Sequence, residues 1–542
     1  MSEITVFAAS KIITMDPNLP EATHVAVREG KVLAVGGADC ANAWGAVTHD
    51  DRLASHVLMP GFVEGHAHMM AGKMWDFCYA GYHDRIDPQG VLHEGMTDID
   101  AVIARLRERA ATLPPGEPLF AWGFDPIFLP TERLNRRHLD AVATDRPVAV
   151  MFSNFHLMCV NSATLELAQY TAQTNAEGVL KDEHGAPTGE LQEMAAMFPV
   201  LRRIGVDFRS LSQGEDALRS YAEVCKRAGV TTVTDLYSSM EDEDLDGMLR
   251  VTGDPDFGLR IVPALGATGQ QPEALAKRAL ALKARSTDKL RLGAVKLMTD
   301  GSIQGWTGRV KWPGYVGGQP NGLWNTTPEE IFALCEAMYA HGVQMHIHVN
   351  ADEASEVALD ACEAAARKHP WPGARHVFQH CQLMGPDQFA RARELGICVN
   401  IFSNHLWYFG DQHVALTVGK DRAERMNAAR SAIDAGLGVA IHSDAPVTPM
   451  GPLFTAWCAV NRLTMTGRTL GEAQKITVAE ALRLITLGAA HTLKLDNEIG
   501  SIECGKIADF AVLGADPLAV APEALKDVPV LGTVSGGRVH LA

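Results

Sequence analysis

The sequence predicts an α/β protein: a (β/α)8 TIM barrel with a large insertion after its first strand, plus a small β-domain built from both chain ends. Three observations predict this fold. Short apolar or β-branched runs alternate with Ala- and Leu-rich stretches of helical periodicity, the pattern of βα units around a parallel sheet. The strand candidates number eight, which closes such a barrel. Both chain ends are rich in short β-like runs and turns.

Size, composition and charge limit the class of protein. A chain of 542 residues exceeds one ordinary domain of about 100 to 200 residues, so a barrel with an accessory domain, or several domains, is expected. Apolar residues make up 47% and charged residues 21%, the balance of a folded globular protein. The formal charge of −17 disfavours nucleic acid and anionic lipid as partners. We therefore expect a small-molecule substrate, and association into a homodimer stays open.

The start of the chain and the cysteines bear on the compartment and on metal binding. Residues 1–10 lack a basic segment followed by a long apolar run, and no window of about 18 uninterrupted apolar residues occurs elsewhere. These features predict a cytoplasmic protein that does not span a membrane. The ten cysteines form no C-x-x-C pair, so any metal ion is expected to be held by histidine and carboxylate.

The domains follow from the order of the elements. Residues 1–58 and 482–542 are expected to form the composite β-domain, and residues 59–481 the barrel. The segment at about 70–225 is too long for an ordinary βα connection, so we interpret it as an insertion that caps the barrel mouth. The eight strand candidates of the barrel are 59–66, 230–236, 259–265, 290–298, 342–349, 376–381, 396–402 and 438–444.

The first strand candidate ends in two histidines, His66 and His68, within PGFVEGHAHMM. Residues two apart on an extended chain project to the same side, so the two rings can bind one metal ion. Paired surface histidines are also common, and the pair alone leaves that alternative open. Its place at the end of a buried strand, after Pro60-Gly61, favours the metal site.

Lys296 lies inside the apolar strand candidate of GAVKLMTDGS. A lysine there is desolvated unless it is modified or paired with an acid. Carbamylation by carbon dioxide would turn it into a carboxylate-like group that can bridge two cations. The structural alternative is an ion pair with Asp300 or another carboxylate.

Three further strand candidates end in polar residues: His348, His380 and Asp444. Active sites of such barrels lie where the strands finish, so these side chains are expected near His66. Each histidine could instead be a hydrogen-bonded core residue, and Asp444 could cap a helix. His346 and His376 precede their neighbours by even steps and lie deeper, so we assign them supporting or packing roles.

Further motifs follow one another in order over almost the whole chain: PGFVEGHAH, the GFD at 123–125, LDAVATDRPV, FHLMCVNSATL, HGAPTGEL, VKLMTDGS, HVNADEA, HSDAPV and IGSIECGKIADFAVL. With them the chain resembles the amidohydrolase superfamily, and within it amidohydrolase family 3, the YtcJ-like proteins that include N-substituted formamide deformylase. The resemblance implies that the β-domain is a β-sandwich. It implies that Asp444 is also the acid and base, and that His156 and His405 line the substrate site. It implies a metal centre of six residues: His66, His68, Lys296, His348, His380 and Asp444.

The predicted function is hydrolysis of a carbon–nitrogen bond, of amide, N-acyl or N-formyl type, in a small and partly apolar or aromatic substrate. A zinc-type cation lowers the pKa of bound water from about 15.7 to about 7 and so makes hydroxide available at neutral pH. Asp444 would carry the proton to the leaving nitrogen, and His156 would stabilise the oxyanion. We expect one or two Zn²⁺ ions, and two if Lys296 is carbamylated. Deamination, lactone or ester hydrolysis, and a non-catalytic scaffold remain alternatives.

Aromatic residues close to the predicted barrel mouth are expected to bind the apolar part of the substrate. Packing of the insertion onto the barrel is the structural alternative. The aromatic residues assigned to the substrate site are Trp75, Trp122, Phe124, Trp306 and Trp407.

Overall fold

The structure is a computed structural model that describes residues 3–129 and 132–541. Its strands are β1 (Ile4–Ile13), β2 (Glu21–Arg28), β3 (Lys31–Gly36), β4 (Val47–Asp50), β5 (Val57–Pro60), β6 (Phe62–Glu64), β7 (Cys78–Tyr79), β8 (Arg85–Ile86), β9 (Leu92–His93), β10 (Leu119–Phe124), β11 (Val148–Phe152), β12 (Leu157–Val160), β13 (Val179–Lys181), β14 (Pro187–Gln192), β15 (Val230–Ser238), β16 (Arg260–Gly266), β17 (Ala294–Met298), β18 (Met345–Val349), β19 (Val377–His380), β20 (Cys398–Ile401), β21 (Val439–Ile441), β22 (Phe510–Leu513), β23 (Val530–Ser535) and β24 (Arg538–Leu541). Its α-helices are α1 (Ile99–Thr112), α2 (Arg136–Asp140), α3 (Ser162–Ala168), α4 (Glu193–Arg203), α5 (Phe208–Gln213), α6 (Glu215–Arg227), α7 (Asp242–Gly253), α8 (Pro272–Lys283), α9 (Pro328–His341), α10 (Asp352–Lys368), α11 (Pro386–Glu394), α12 (His405–Gln412), α13 (Lys420–Ala423), α14 (Ala429–Asp434), α15 (Pro452–Asn461), α16 (Val478–Arg483) and α17 (Ala489–Thr492).

The centre of the molecule is a parallel sheet of eight strands, in the order β6-β15-β16-β17-β18-β19-β20-β21. This confirms the predicted α/β class and the eight strands, which follow one another in chain order. The inner residues of these strands are buried, as in β18, where all five residues are buried. In the register between β17 and β18, Lys296 lies beside His346, and Met298 lies beside His348. Lys296 therefore starts one strand period deeper than His348.

Amphipathic helices connect the strands and cover the outer face of this sheet. Helix α9 begins at a capping box, in which Thr327 and Glu330 satisfy each other's backbone N–H groups, and ends at Gly342 in the left-handed conformation (φ 66°). Its apolar side, with Ile331 and Met338, packs into the main hydrophobic core. These local signals fix where β18 begins and so where His348 lies.

The prediction of one continuous strand at 59–66 is wrong, because the chain leaves one sheet and enters another within this segment. β5 pairs antiparallel with β22, whereas β6 pairs in parallel with β15. The break lies at Gly61, where a side chain would collide with Thr231. The Gly61 N–H donates to the Asp509 carbonyl at 2.9 Å. Pro60 has no N–H to continue the ladder, so the sequence dictates the switch.

Both chain ends contribute to one further sheet of eight strands. Its order is β24-β23-β22-β5-β1-β2-β3, with β4 paired to β1. A buried ion pair joins it to the parallel sheet: the Arg260 Nη1 lies 2.7 Å from the Asp509 Oδ2, with both side chains at most 4% exposed. β5, the strand that leads to His66, therefore pairs with β1 from the N-terminal part of the chain and with β22 from the C-terminal part.

The segment 70–225, called the cap segment below, lies between the first two strands of the parallel sheet. It contains a six-stranded sheet of order β13-β14-β12-β11-β10-β7 and its own hydrophobic cores. Helices α4 and α5 follow this sheet directly. Residues of the cap segment and of the parallel sheet line one cavity, described below.

All ten cysteines are free thiols, and most are buried. The pattern agrees with the absence of a C-x-x-C motif from the sequence. Across residues 3–129 and 132–541, no helix is both long enough and apolar enough to cross a membrane.

Arg260→Met tests the junction between the two sheets. The change leaves the Asp509 carboxylate buried without its cation, so we expect a loss of about 3 to 5 kcal/mol in the free energy of unfolding. Denaturant unfolding followed by circular dichroism measures it. Arg538→Met is the control, because its pair with Asp256 is 59% and 85% exposed and should leave the midpoint unchanged. Equal midpoints for wild type and Arg260→Met would contradict the assignment.

Candidate metal centre and substrate cavity

Six residues predicted from strand ends converge on one cavity of about 460 Å³. They come from the ends of β6, β17, β18, β19 and β21, which meet at the same edge of the sheet. Residues of the cap segment, such as Phe155 and Met197, also line this cavity. The six residues are His66, His68, Lys296, His348, His380 and Asp444.

His66, His68 and Asp444 form the tightest group of donor atoms. The Asp444 Oδ1 lies 3.3 Å from the His66 Nε2 and 3.4 Å from the His68 Nε2. Their ligand atoms all lie within 4.8 Å of one another. Both rings therefore face the same carboxylate oxygen, as the two-residue spacing predicts, although the backbone bends at Gly65 and His66.

The orientation of His66 is fixed by Gln379, which sequence reasoning missed. The His66 Nδ1–H donates to the Gln379 Oε1 at 2.8 Å, because an amide oxygen can only accept. Asn400 donates to the same oxygen at 3.0 Å, and the Gln379 amide donates to the His346 Nδ1 at 2.9 Å. The His66 Nε2 is left free to bind a cation. Gln379 lies one residue before His380, and that adjacency was the only sequence signal for it.

His348 and His380 lie on neighbouring strands with ring centroids 4.5 Å apart. The His348 Nε2–H donates to the Gly301 carbonyl at 3.1 Å, which leaves its Nδ1 as the ligand atom. The His380 Nδ1 lies 3.8 Å from the Asp444 Oδ2 and has no hydrogen-bond partner among the described residues. Burial holds the pKa of both rings well below the ordinary value, so both are neutral and can act as ligands.

Lys296 is 1% exposed, and its Nζ has no hydrogen-bond partner in the described part of the chain. Burial lowers the pKa of this ammonium to about 7. Asp300, the partner in the structural alternative, instead accepts the backbone N–H groups of Arg309, Asn350 and Ala351 at 3.0 to 3.1 Å. The ion pair of that alternative is therefore not formed.

His442 is a second residue that sequence reasoning missed. Its ring stacks on His66 with centroids 4.6 Å apart and an interplanar angle of 15°, and its ligand atoms lie within 4.8 Å of those of His66 and His380. Both ring nitrogens lack a partner among the described residues. Burial lowers the pKa of the ring to about 3. Its position two residues before Asp444 placed it on the same side of the strand.

Two carboxyl groups near the centre differ in charge state. Burial raises the pKa of Glu64 to about 8, although its carboxyl accepts from the Ser443 hydroxyl at 2.8 Å. Burial would also raise the pKa of Asp444, but the hydrogen bond from His68 and the charges of nearby cationic groups outweigh burial and lower it. Asp444 is therefore the carboxylate that stays ionised.

The donor set fits a divalent cation of the zinc type. Imidazole nitrogens and a carboxylate are its preferred ligands where thiolates are absent. Buried polar atoms without a partner are rare, and two residues that line this cavity carry such atoms among the described residues: the Lys296 Nζ and the His380 Nδ1. A bound cation would satisfy such atoms.

His156 enters the cavity from the cap segment, with its ring 5.4 Å from that of His348. Its Nδ1 lies 2.8 Å from the Glu193 Oε2, which also accepts from Asn325 at 2.8 Å. Burial lowers the pKa of His156, but the charge and hydrogen bond of Glu193, together with the charges of Asp300 and Asp444, raise it, and the net shift is upward. Glu193 adopts a left-handed conformation (φ 62°), a strained state typical of functional sites.

An apolar wall lines part of the cavity and comes mainly from helix α4, whereas α5 adds Phe208 and the polar residues Arg209, Ser212 and Gln213. Methionine side chains are prominent in it, and these adapt readily to ligands of different shape. His405 also lines the cavity, on the side of α12. The apolar wall residues are Phe155, Met194, Met197, Phe198, Leu201, Val206 and Phe208.

The aromatic residues assigned to the substrate lie elsewhere, since none of them lines this cavity. Trp122 is fully buried in the cap segment, 5.1 Å from the rings of Trp75 and Tyr79. Their contacts agree with the alternative stated above, in which these aromatic residues pack the insertion. Residues of α4 line the cavity instead, and the sequence alone did not predict that this helix lies there. The five residues outside the lining are Trp75, Trp122, Phe124, Trp306 and Trp407.

Comparison with known proteins identifies the family of this chain. The model of the amidohydrolase family matches residues 53–540. The chain is 28% identical to the putative amidohydrolase YtcJ of Bacillus subtilis, over 91% of this chain and 90% of that protein. It is 25% identical to the N-substituted formamide deformylase of Arthrobacter pascens, over 99% and 98% of the two chains. In fold it is similar to a metal-dependent hydrolase of Pyrococcus horikoshii (TM-score 0.70, 21% identity, 96% and 99% covered).

Gln379→Leu tests the orientation of His66. The variant removes the acceptor that keeps the His66 Nε2 free, so we expect the affinity for Zn²⁺ to fall by about 10- to 100-fold. Competition with a chromophoric chelator measures this affinity. Gln388→Leu is the matched control, because Gln388 is equally buried but bonds Asp352 and Glu356 outside the cavity. An equal loss in both variants would contradict the role of Gln379.

Proposed function

Because the chain belongs to the amidohydrolase family, we propose that it hydrolyses a carbon–nitrogen bond of amide, N-acyl or N-formyl type in a small, partly apolar substrate. The observation that carries the proposal is the placement of Asp444, whose Oδ1 lies within 3.4 Å of the Nε2 atoms of His66 and His68. An ionised carboxylate at that point can both bind a cation and carry a proton.

The metal centre is proposed to hold one or two Zn²⁺ ions. The proposed ligands are His66, His68, Lys296, His348, His380 and Asp444. When bound, such a cation supplies Lewis-acid polarisation of the substrate and lowers the pKa of water to about 7. Carbamylation of Lys296 would form an N–C bond between its neutral amine and carbon dioxide and release one proton. The product is a carboxylate-like group suited to two cations.

The protein's own groups then account for the proton transfers. Asp444 takes a proton from the attacking water as the water oxygen bonds to the substrate carbonyl carbon. The Nδ1–H of His156 donates to Glu193, and the raised pKa of the ring favours the imidazolium. As an imidazolium, His156 also carries an Nε2–H and donates a hydrogen bond through it to the oxygen that becomes negative. Asp444 returns the proton to the leaving nitrogen, and the C–N bond breaks. The products are an acid and an amine.

The apolar wall, which comes mainly from α4, supports the proposal that one part of the substrate is uncharged and apolar. A cavity of about 460 Å³ is within the range of small-molecule sites. His405 lies at the side of the cavity and would contact the substrate there. The rest of the substrate faces the polar strand ends.

We also propose that the parallel sheet closes as a (β/α)8 barrel and that the cap segment covers its mouth. Support comes from two backbone bonds between the segments after β6 and β21. The Asp444 N–H donates to the His66 carbonyl at 3.2 Å, and the His68 N–H donates to the Ala445 carbonyl at 2.8 Å. In this proposal the terminal sheet belongs to the β-sandwich of residues 1–58 and 482–542.

A substrate screen on zinc-loaded protein tests the reaction class. We expect turnover of N-formyl or N-acyl amines that carry an apolar substituent, measured as release of the amine. Turnover of lactones, esters or amino-heterocycles alone would replace this proposal with one of the alternatives. Failure of every class with a full complement of metal would favour a non-catalytic scaffold.

Asp444→Asn tests the proton carrier. The amide cannot accept the proton of the attacking water, so we expect kcat to fall by about 10²- to 10⁴-fold with bound metal retained. Steady-state kinetics and metal analysis of the same sample measure both quantities. Asp125→Asn is the control, because Asp125 is buried within the cap segment and does not line the cavity. Unchanged turnover of Asp444→Asn would exclude Asp444 as the proton carrier.

Leu201→Ala tests the apolar wall. The change removes most of one apolar side chain from α4, so we expect KM to rise by roughly 3- to 10-fold for a substrate with a long apolar substituent. A truncated substrate without that substituent is the control and should keep its KM. An equal rise for both substrates would mean that the wall does not bind the substituent.

A further inference from the structure

Arg85 of the cap segment forms hydrogen bonds with the turn at residues 444–447, which contains Asp444. We propose that Arg85 is a positioning residue: its guanidinium fixes the backbone of residues 444–447 and thereby the carboxylate of Asp444. The inference rests on the proposed function, in which Asp444 carries the proton.

Arg85 donates two hydrogen bonds to consecutive carbonyl groups of this turn. Its Nη1 lies 2.5 Å from the Pro446 oxygen, and its Nη2 lies 2.5 Å from the Val447 oxygen. The residue is 6% exposed, so water does not compete for these carbonyls. A planar guanidinium can reach both oxygens at once, whereas the single ammonium of a lysine offers one point of contact.

The turn needs such support because its backbone conformation is strained. Asp444 has a φ of 53°, in the left-handed region that a non-glycine residue rarely occupies. Within the turn, the Val447 N–H donates to the Asp444 carbonyl at 2.7 Å. On the sheet side, the Thr448 hydroxyl donates to the Ser443 carbonyl at 2.5 Å. Arg85 supplies the contact from the opposite, cap side.

The surroundings of Arg85 explain how its charge is held there. No carboxylate of the described chain lies within ion-pair distance of its guanidinium. Its Cζ lies 5.8 Å from the centroid of the Tyr79 ring and 5.7 Å from that of Trp122, within the range of cation–π contacts. Two carbonyl oxygens and two aromatic rings therefore replace an ion pair. The same contacts give Trp122 a role in place of the predicted substrate contact.

The clamp couples the cap segment to the catalytic turn. The side chain of Val447 lines the cavity, and its carbonyl is one of the two that Arg85 holds. A displacement of about 1 Å at a catalytic group can cost on the order of 10²-fold in rate. Arg85 thus acts on turnover through Asp444, without touching the proposed ligands.

Arg85→Met and Arg85→Lys test the clamp, with two readouts. On a substrate that the wild type hydrolyses, we expect kcat of Arg85→Met to fall by about 10- to 100-fold, KM to change little, and the zinc content to stay at the wild-type value. Arg85→Lys keeps the positive charge, and its kcat should lie between the values of the wild type and of Arg85→Met. Hydrogen–deuterium exchange should accelerate in peptides covering 443–448 and not in peptides of β17 or β18.

Arg146→Met is the matched control, because Arg146 is a comparably buried arginine of the cap segment whose guanidinium, among the described residues, hydrogen-bonds only the Glu117 carbonyl, at 3.4 Å. It should leave kcat and the exchange of 443–448 unchanged. Wild-type kcat and exchange in both Arg85 variants would overturn the proposal, as would equal losses in Arg146→Met. A wild type without turnover would count against the proposed function alone, since the exchange readout tests the clamp without a substrate.

Discussion

The hydrogen bond from His66 to Gln379 determines which imidazole nitrogen points into the cavity. An imidazole in a dry interior has one donor and one acceptor, so a partner on one nitrogen decides the chemistry of the other. The Gln379 oxygen accepts from His66 and from the Asn400 amide, and the Gln379 amide donates to His346. The same logic holds at His348, whose Nε2 is taken by the Gly301 carbonyl. The geometry of the metal ligands thus depends on polar groups that are not themselves proposed as ligands, namely Gln379, Asn400 and the Gly301 carbonyl.

The sequence predicted the proposed metal ligands but not the residues that orient or surround them. Five residues could be found because each is a polar residue at the end of an apolar run, and parallel strands bring such ends together. They are His66, His68, His348, His380 and Asp444. Lys296 could be found because it is a cation inside an apolar strand. The eight strands themselves were predicted from periodicity. Gln379 and His442 were missed because their roles depend on the register between neighbouring strands. A single sequence does not contain that register.

The substrate side of the cavity was harder to predict for a different reason. Aromatic residues such as Trp122 were assigned from nearness in sequence to strand ends, but Trp122 packs inside the cap segment. The residues that face the ligands, such as Met197 and Leu201, lie on α4, about 130 residues beyond the first strand. Their approach to the metal ligands depends on how the cap segment folds back over the parallel sheet. Helical periodicity identifies the apolar side of such a helix but not the partner that the side meets.

The change of sheets at Gly61 has a consequence for how the chain folds during synthesis. β5, which leads directly into β6 and His66, is paired along its length with β22, near the other end of the chain. A ribosome releases β22 only after every strand of the parallel sheet has been made, so β5 must wait for its neighbour. Contacts this distant in sequence form slowly, and a nascent chain exposes the unpaired edge of β5 in the meantime. The strand that leads into the metal centre is therefore among the first parts to be synthesised and among the last to gain all its strand partners.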